Sequence, residues 1–304
     1  MALQEAEKQT ARRRADIVLA LFGAVPPALR KALFTSLFAL FYHLSPSHRL
    51  ITLYNLRRAF PEKPDGEIRR IARGAYRNLG IVAAEFFDIP ALTKENIGRL
   101  VETEGLEHCR KALEKGKGVL FFGAHFGNWE LEAVAVSLLI KPSVVIYRTL
   151  DNPLLDEIVL KVRGATGNIP LAKDRAMRPM LRTLNNNGML GILIDQNMDC
   201  HEGVFVDYFG RPACTTDGLA LLALHTGAPV LPGHMTRQPD GRYRLVLGPE
   251  VEVIDTGDRA ADILANTQRF TKVIEETVRR HPDQWLWLHK RWKTQACQAR
   301  RKEG

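Results

Sequence analysis

The passage from Val119-Leu120-Phe121-Phe122 through Gly123-Ala124-His125-Phe126-Gly127-Asn128-Trp129-Glu130 into the apolar run 131–140 constrains the fold more than any other part of the chain. A short apolar run closed by glycine reads as a buried strand, and the run after it has the length and spacing of a helix. The chain is therefore committed to a strand–turn–helix unit, with the turn at the carboxyl edge of a sheet, where open α/β folds place their ligands.

That turn carries a histidine, and a carboxylate follows five residues later in the first helical turn. Histidine is matched to general-base work near neutral pH, and a fixed carboxylate holds its tautomer and stabilises its protonated form. The expectation is that His125 is the base and Glu130 its orienter. The plainer alternative is a satisfied turn histidine beside an acid that faces the helix dipole. Trp129, Phe126 and the helix-capping Asn128 make an odd composition for a mere connection. The sequence holds only five serines, none in a Gly-x-Ser-x-Gly elbow, so no hydroxyl nucleophile accompanies the base. A base without a nucleophile suits activation of the substrate's own hydroxyl.

The rest of the chain alternates in the same way. Strands are expected at Val119–Phe122, Ser143–Tyr147, Met189–Ile194, Pro229–Met235 and Tyr243–Val253, with helices near 129–140, 153–165, 174–186, 216–226 and 259–280. Alternation of this kind implies an α/β fold with a mostly parallel central sheet flanked by helices. Ahead of it, Ser45-Pro46 and Asp65-Gly66-Glu67 start two helices, the first leading to Phe60 and the second to about Phe87. Arg148 and Arg163 follow the second expected strand and reach the same edge as His125, where Arg suits phosphate or carboxylate contacts. Asp195 ends another strand at that edge and is expected to pair with Arg163. Gly127 and Asn128 open the helix whose first N–H groups are expected to face the substrate.

The net charge of +9 calls for an anionic partner. Nucleic acid is disfavoured, because no helix-turn-helix, RNP or zinc pattern is present and the basic residues border apolar runs. Arg12-Arg13-Arg14 precede residues 17–29, Arg30-Lys31 interrupt, and residues 32–44 are again almost wholly apolar. Neither run has the roughly 20 residues of a spanning helix, and Pro26-Pro27 break the first. The favoured reading is a monotopic anchor on a membrane surface, with a core-buried hairpin and a single pass as alternatives. The organisation is then 1–44 anchoring helices, 45–292 catalytic domain and 293–304 basic, disordered tail. The four cysteines form no Cys-x-x-Cys pair and read as free thiols in a reducing compartment, without a secretory cleavage pattern. Cys200-His201 with Cys214 fits no zinc module, so no metal or cofactor is expected. Trp285-Leu286-Trp287-Leu288-His289 reads as a half-buried edge strand with its indoles in the core, or as an interfacial aromatic cluster.

The block from Ala124 to Glu130 resembles the signature of the bacterial lipid A late acyltransferases, within the lysophospholipid acyltransferase superfamily. The resemblance extends to Asn55-Leu56-Arg57-Arg58-Ala59-Phe60-Pro61 and Arg77-Asn78-Leu79-Gly80. It also takes in Tyr147-Arg148 with Asp151-Asn152-Pro153, Arg163, Ile194-Asp195-Gln196, the run from Tyr208 to Thr216, and the run from His281 to Trp292. It implies an O-acyltransferase at the cytoplasmic face of the inner membrane of a Gram-negative bacterium. The implied donor is an acyl chain on acyl carrier protein, and the implied acceptor a fatty-chain hydroxyl of a phosphorylated glycolipid, the lipid A precursor. The glycerophospholipid branch typically has Asp where Glu130 stands and a Phe-Pro-Glu-Gly block where this chain has Phe209-Gly210-Arg211-Pro212, which weakens a lysophospholipid acceptor. A thioesterase, with water in place of the alcohol, is the remaining rival.

Overall fold

The structure, a computed structural model, describes residues 2–174 and 176–295. Nine strands and ten α-helices are present among them. The strands are β1 Val101–Glu104, β2 Val119–Gly123, β3 Val144–Tyr147, β4 Ile169–Ala172, β5 Met189–Leu193, β6 Gly203–Asp207, β7 Pro212–Thr216, β8 Val230–Arg237 and β9 Tyr243–Leu247. The helices are α1 Ala2–Ala24, α2 Pro27–Leu44, α3 Pro46–Ala59, α4 Asp65–Glu85, α5 Leu106–Glu114, α6 Trp129–Leu139, α7 Pro153–Gly164, α8 Met177–Asn185, α9 Gly218–Thr226 and α10 Arg259–Arg280.

Seven strands form one sheet in the order β1-β9-β8-β2-β5-β3-β4, parallel throughout except for β8 against β9. The fold is therefore α/β with a mostly parallel sheet flanked by helices. β2 is central, and all five of its residues are buried. Its side chains alternate, as the strand pleat requires. Leu120 and Phe122 join the core beneath α4, α9 and α10, while Val119 and Phe121 join the core beneath α5 and α6. Burial on both faces is what makes this strand an unbroken apolar run instead of an alternating one.

Four elements had no counterpart in the sequence reading: β1, β4, α5 and the hairpin β6–β7. β1 and β4 are four-residue strands at the two sheet edges; β1, Val-Glu-Thr-Glu, carries little apolar signal, and β4, Ile-Pro-Leu-Ala, is short and holds a proline. The hairpin turns on Phe209 and Gly210, both at positive φ (57° and 72°), with Tyr208 and Arg211 exchanging backbone hydrogen bonds. β9 stops at Leu247, six residues before the expected end. The expected edge strand at 285–289 is absent; only an isolated bridge joins Phe126 to Trp285. The indoles of Trp285 and Trp287 are in the core, packed edge-to-face at 4.5 Å.

The N-terminal helices are bolted to the domain. α1 and α2 meet at an angle of 109° across the Val25-Pro26 break, and among the described residues no single helix is long and apolar enough to cross a membrane. Arg30 is wholly buried: its guanidinium donates to the carbonyls of Ala84 (2.8 Å), Phe22 (2.6 Å) and Val25 (3.2 Å) and pairs with Asp88. At the α2–α4 crossing a Cβ on Gly80 would stand 2.8 Å from the Thr35 Cα, so glycine sets how closely the two helices approach. The other face of α2 is open, with Leu29, Leu33, Leu37, Leu40 and Leu44 exposed and Leu50 and Tyr54 of α3 continuing the surface.

Cys109 and Cys214 are buried free thiols, whereas Cys200 is disulfide-bonded, which corrects the expectation of four free cysteines. The expected tail lies outside the described residues from 296 onward.

Candidate active site

Strand register decides which side chains meet. β2 and β5 are parallel neighbours with Gly123 opposite Leu193, so His125 and Asp195, each two residues further on, leave the sheet side by side. The Asp195 carboxylate accepts from His125 Nδ1 (2.8 Å) and from the His125 backbone amide (3.0 Å). It also accepts from Trp285 Nε1 (2.8 Å). Burial alone would raise the Asp195 carboxyl, but His125 and the indole N–H more than offset it, and the group is held below the usual carboxylate range. A charged Asp195 fixes the proton of His125 on Nδ1 and leaves Nε2 as an acceptor. Nε2 makes no hydrogen bond among the described residues, and the imidazole is 21% exposed while the Asp195 side chain is 2% exposed. The arrangement is a buried anion, an oriented imidazole and one basic nitrogen open to the carboxyl edge of the sheet.

Two further hydrogen bonds hold the segment 285–289 along this pair. Leu286 N–H donates to the His125 carbonyl (3.0 Å), and Asn197 N–H donates to His289 Nε2 (2.7 Å). Burial pushes His289 down to about 4, so it is neutral. On the other side, Gly127 turns the chain at φ +58°, where a Cβ would stand 1.6 Å from the Met235 carbonyl oxygen, so no other residue fits. Its amide donates to the Gln284 carbonyl (2.8 Å), and its carbonyl accepts from Asn78 Nδ2 (2.9 Å). Asn128 caps α6, its Oδ1 accepting from Leu131 N–H (3.0 Å), and its Nδ2 donates to Glu85 (3.0 Å). Glu85 also pairs with Lys31 of α2 and accepts from Tyr243.

Comparison with known proteins identifies the family. The sequence profile described as "Bacterial lipid A biosynthesis acyltransferase" matches residues 15–294. The chain belongs to this family. It is 28% identical to a lipid A biosynthesis lauroyltransferase of Escherichia coli K12 over 242 residues, 79% of this chain and 77% of that protein. It is 24% identical to a phosphatidylinositol mannoside acyltransferase of Mycolicibacterium smegmatis over 251 residues, 81% of this chain and 80% of that protein. A solved 1-acyl-sn-glycerophosphate acyltransferase from Thermotoga maritima overlaps 86% of this chain and 100% of its own at 14% identity and a TM-score of 0.40, a likeness too loose to bear on the site. The chain is an acyltransferase, and its family takes its name from lipid A biosynthesis.

Within this lipid A acyltransferase family member, the two carboxylates expected at the edge exchange partners. Glu130 does not orient His125. Its oxygens are held by a two-point contact from Arg163 Nε (2.8 Å) and Nη2 (2.6 Å), and by Trp129 Nε1 (2.9 Å). The Trp129 ring lies edge-on to the imidazole at 5.5 Å, and the Glu130 carboxylate turns toward α7. Arg163 therefore pairs with Glu130 and not with Asp195, whose oxygens are already filled. Asp195 is the carboxylate that His125 finds. The amides of Gly127 and Asn128 are committed to the carbonyls of Gln284 and Met235, so neither is a free donor for substrate. Arg148 is 71% exposed and pairs loosely with Asp151 (3.3 Å) on the surface. The contacts of Trp285 and Asn78 are not legible in the sequence, since nothing in spacing tells a core tryptophan from one whose N–H holds the Asp195 carboxylate.

Proposed function

We propose that the protein transfers a fatty acyl chain from the thioester of acyl carrier protein to a hydroxyl on an acyl chain of the lipid A precursor. The observation that carries the reading is the His125–Asp195 contact at 2.8 Å, with Nε2 open and no serine or cysteine bonded to it among the described residues. Nε2 takes the acceptor's hydroxyl proton as that oxygen attacks the thioester carbonyl. Asp195 stabilises the imidazolium that forms. The amides of Trp129 and Glu130, first in α6 and without acceptors inside the helix, are offered to the tetrahedral oxyanion. The intermediate collapses with cleavage of the C–S bond, and the departing sulfur takes the proton from Nε2. No acyl-enzyme forms. The Glu130–Arg163 pair fixes α6 against α7 behind the reacting centre.

The mycobacterial relative, named for phosphatidylinositol mannoside, supports a second acceptor reading in which another glycolipid supplies the hydroxyl. We place the enzyme on the cytoplasmic face of the inner membrane, with the leucine face of α2 in the interface and the cations of Arg12 to Arg14 at anionic headgroups. Mass spectrometry of the lipid product from purified enzyme, acyl carrier protein thioester and either glycolipid tests the reading. The lipid A precursor should gain one acyl chain. Release of free fatty acid without acylated lipid would make the protein a hydrolase instead.

A further inference from the structure

Of the two arginines expected to take an anion, Arg163 is spent on Glu130 and Arg148 stands on the surface beside Asp151. The same edge carries a second basic feature. Between α4, the end of β8 and the turn at 281–284 lies an open cleft of about 340 Å³ lined by Arg77, Asn78, Arg237, His281, Asp283 and Gln284, among others.

The floor of this cleft is built, and its two guanidinium groups are without polar protein partners among the described residues. Gln284 donates to the Arg237 carbonyl (3.0 Å) and accepts from the Arg237 amide (2.8 Å), so its side chain is used up in fixing the end of β8. Asn78 is likewise used, on the carbonyls of Gly127 and Gln284. The guanidinium groups of Arg77 and Arg237 make no ion pair and no hydrogen bond among the described residues; Arg237 rests on the Tyr243 ring, 6.0 Å from its centroid. Asp283 is the one acid in the lining. Burial lowers His281 despite Asp283, which leaves the positive charge to the two arginines.

The cleft also shares its floor with the catalytic turn. The carbonyl of Gln284 and the amide of Asn78 hold the two ends of the Gly127 peptide, and Trp285, next in the chain, holds Asp195. Two residues separate Gly127 from His125, at most ~7 Å of chain. The cleft floor and His125 are thus joined through one turn of chain. Arg is the side chain suited to two-point contact with phosphate oxygens.

We propose that this cleft is a phosphate site, in which Arg77 and Arg237 take a phosphate ester of the glycolipid acceptor while its hydroxyl reaches His125. The assignment to the acceptor rests on the acyl-transfer reading above; the phosphate chemistry does not. The phosphopantetheine arm of the donor offers the same chemistry, so the two sources are separated by measurement. In a titration of the full-length protein followed by NMR, glucosamine 1-phosphate should bind and glucosamine should not. Arg77→Gln with Arg237→Gln should weaken the phosphate probe at least tenfold at an unchanged melting temperature, and Arg→Lys at both positions should restore part of it. In the transfer assay the same double variant should raise KM for the phosphorylated acceptor at least tenfold with kcat within about twofold. A rise confined to KM for the carrier protein would overturn the acceptor assignment. Failure of the wild type to bind the probe, or equal affinity in the double variant, would overturn the site itself. Because probe binding needs no turnover, a protein that binds phosphate but transfers no acyl chain would sink the function and spare the cleft.

Discussion

At the scale of single residues, the site depends on which carboxylate each donor finds. Arg163 and Glu130 share two hydrogen bonds at 2.6 and 2.8 Å, whereas Asp195 is filled by His125 and Trp285. A double-mutant cycle on turnover should therefore couple Arg163→Gln to Glu130→Gln by ~1–3 kcal/mol, and leave Arg163→Gln and Asp195→Asn additive within ~0.5 kcal/mol. Coupling of Arg163 to Asp195 would restore the pairing that strand order alone suggests. A third carboxyl in the same region behaves differently. Glu132 of α6 turns onto the sheet beside Gly123 and Gly233, and burial pushes it from 4.5 up to about 8. Between those two values the unfolded chain loses this proton and the folded chain keeps it, so rising pH favours unfolding by at most ~1.4 kcal/mol per pH unit. The melting temperature of Glu132→Gln relative to wild type should climb from pH 4.5 to pH 8 and be flat outside that window. A constant offset would show that Glu132 is ionised in the folded state throughout.

At the scale of elements, α2 serves two masters. Its inner face is fixed by Arg30, by Tyr42 and by the close approach at Gly80, so it belongs to the fold. Its outer face is a leucine stripe facing solvent. Changing Leu33, Leu37 and Leu40 together to Gln should leave melting nearly unchanged and abolish sedimentation with anionic vesicles, since each leucine lost from an interface costs ~1.5–3 kcal/mol. Vesicle binding that survived the triple change would move the attachment to another surface. This duality also marks how far the sequence could be read. β2, β5, α6, α7 and α10 were legible because long apolar runs and helical spacing record burial directly. The edge strands β1 and β4 were not, because four residues at an edge bury too little to leave a pattern. The site was half legible. His125 announces itself by its turn, but its partner is set by the register of two strands 70 residues apart, and nothing in the spacing shows that the nearer Glu130 turns away toward Arg163 of α7.

At the scale of the whole molecule, the parallel sheet brings together at one edge a histidine that follows β2, a carboxylate that follows β5 and an indole from the C-terminal segment. Lys31 of α2 and Asn128 at the start of α6 meet on Glu85, so the leucine-striped helix and the turn that carries His125 share one carboxylate. Acyl transfer by this arrangement stands or falls on the His125–Asp195 pair. The direct test is kcat of the purified enzyme on acyl carrier protein thioester and phosphorylated glycolipid for His125→Ala, Asp195→Asn and the two combined. Loss of a positioned base costs ~10²–10⁴-fold. His125→Ala and Asp195→Asn should each fall into that range, and the combined variant should fall no further, because the two act as one unit. An Asp195→Asn enzyme that kept more than about a tenth of wild-type turnover would contradict the assignment and return the orienting role to another carboxylate.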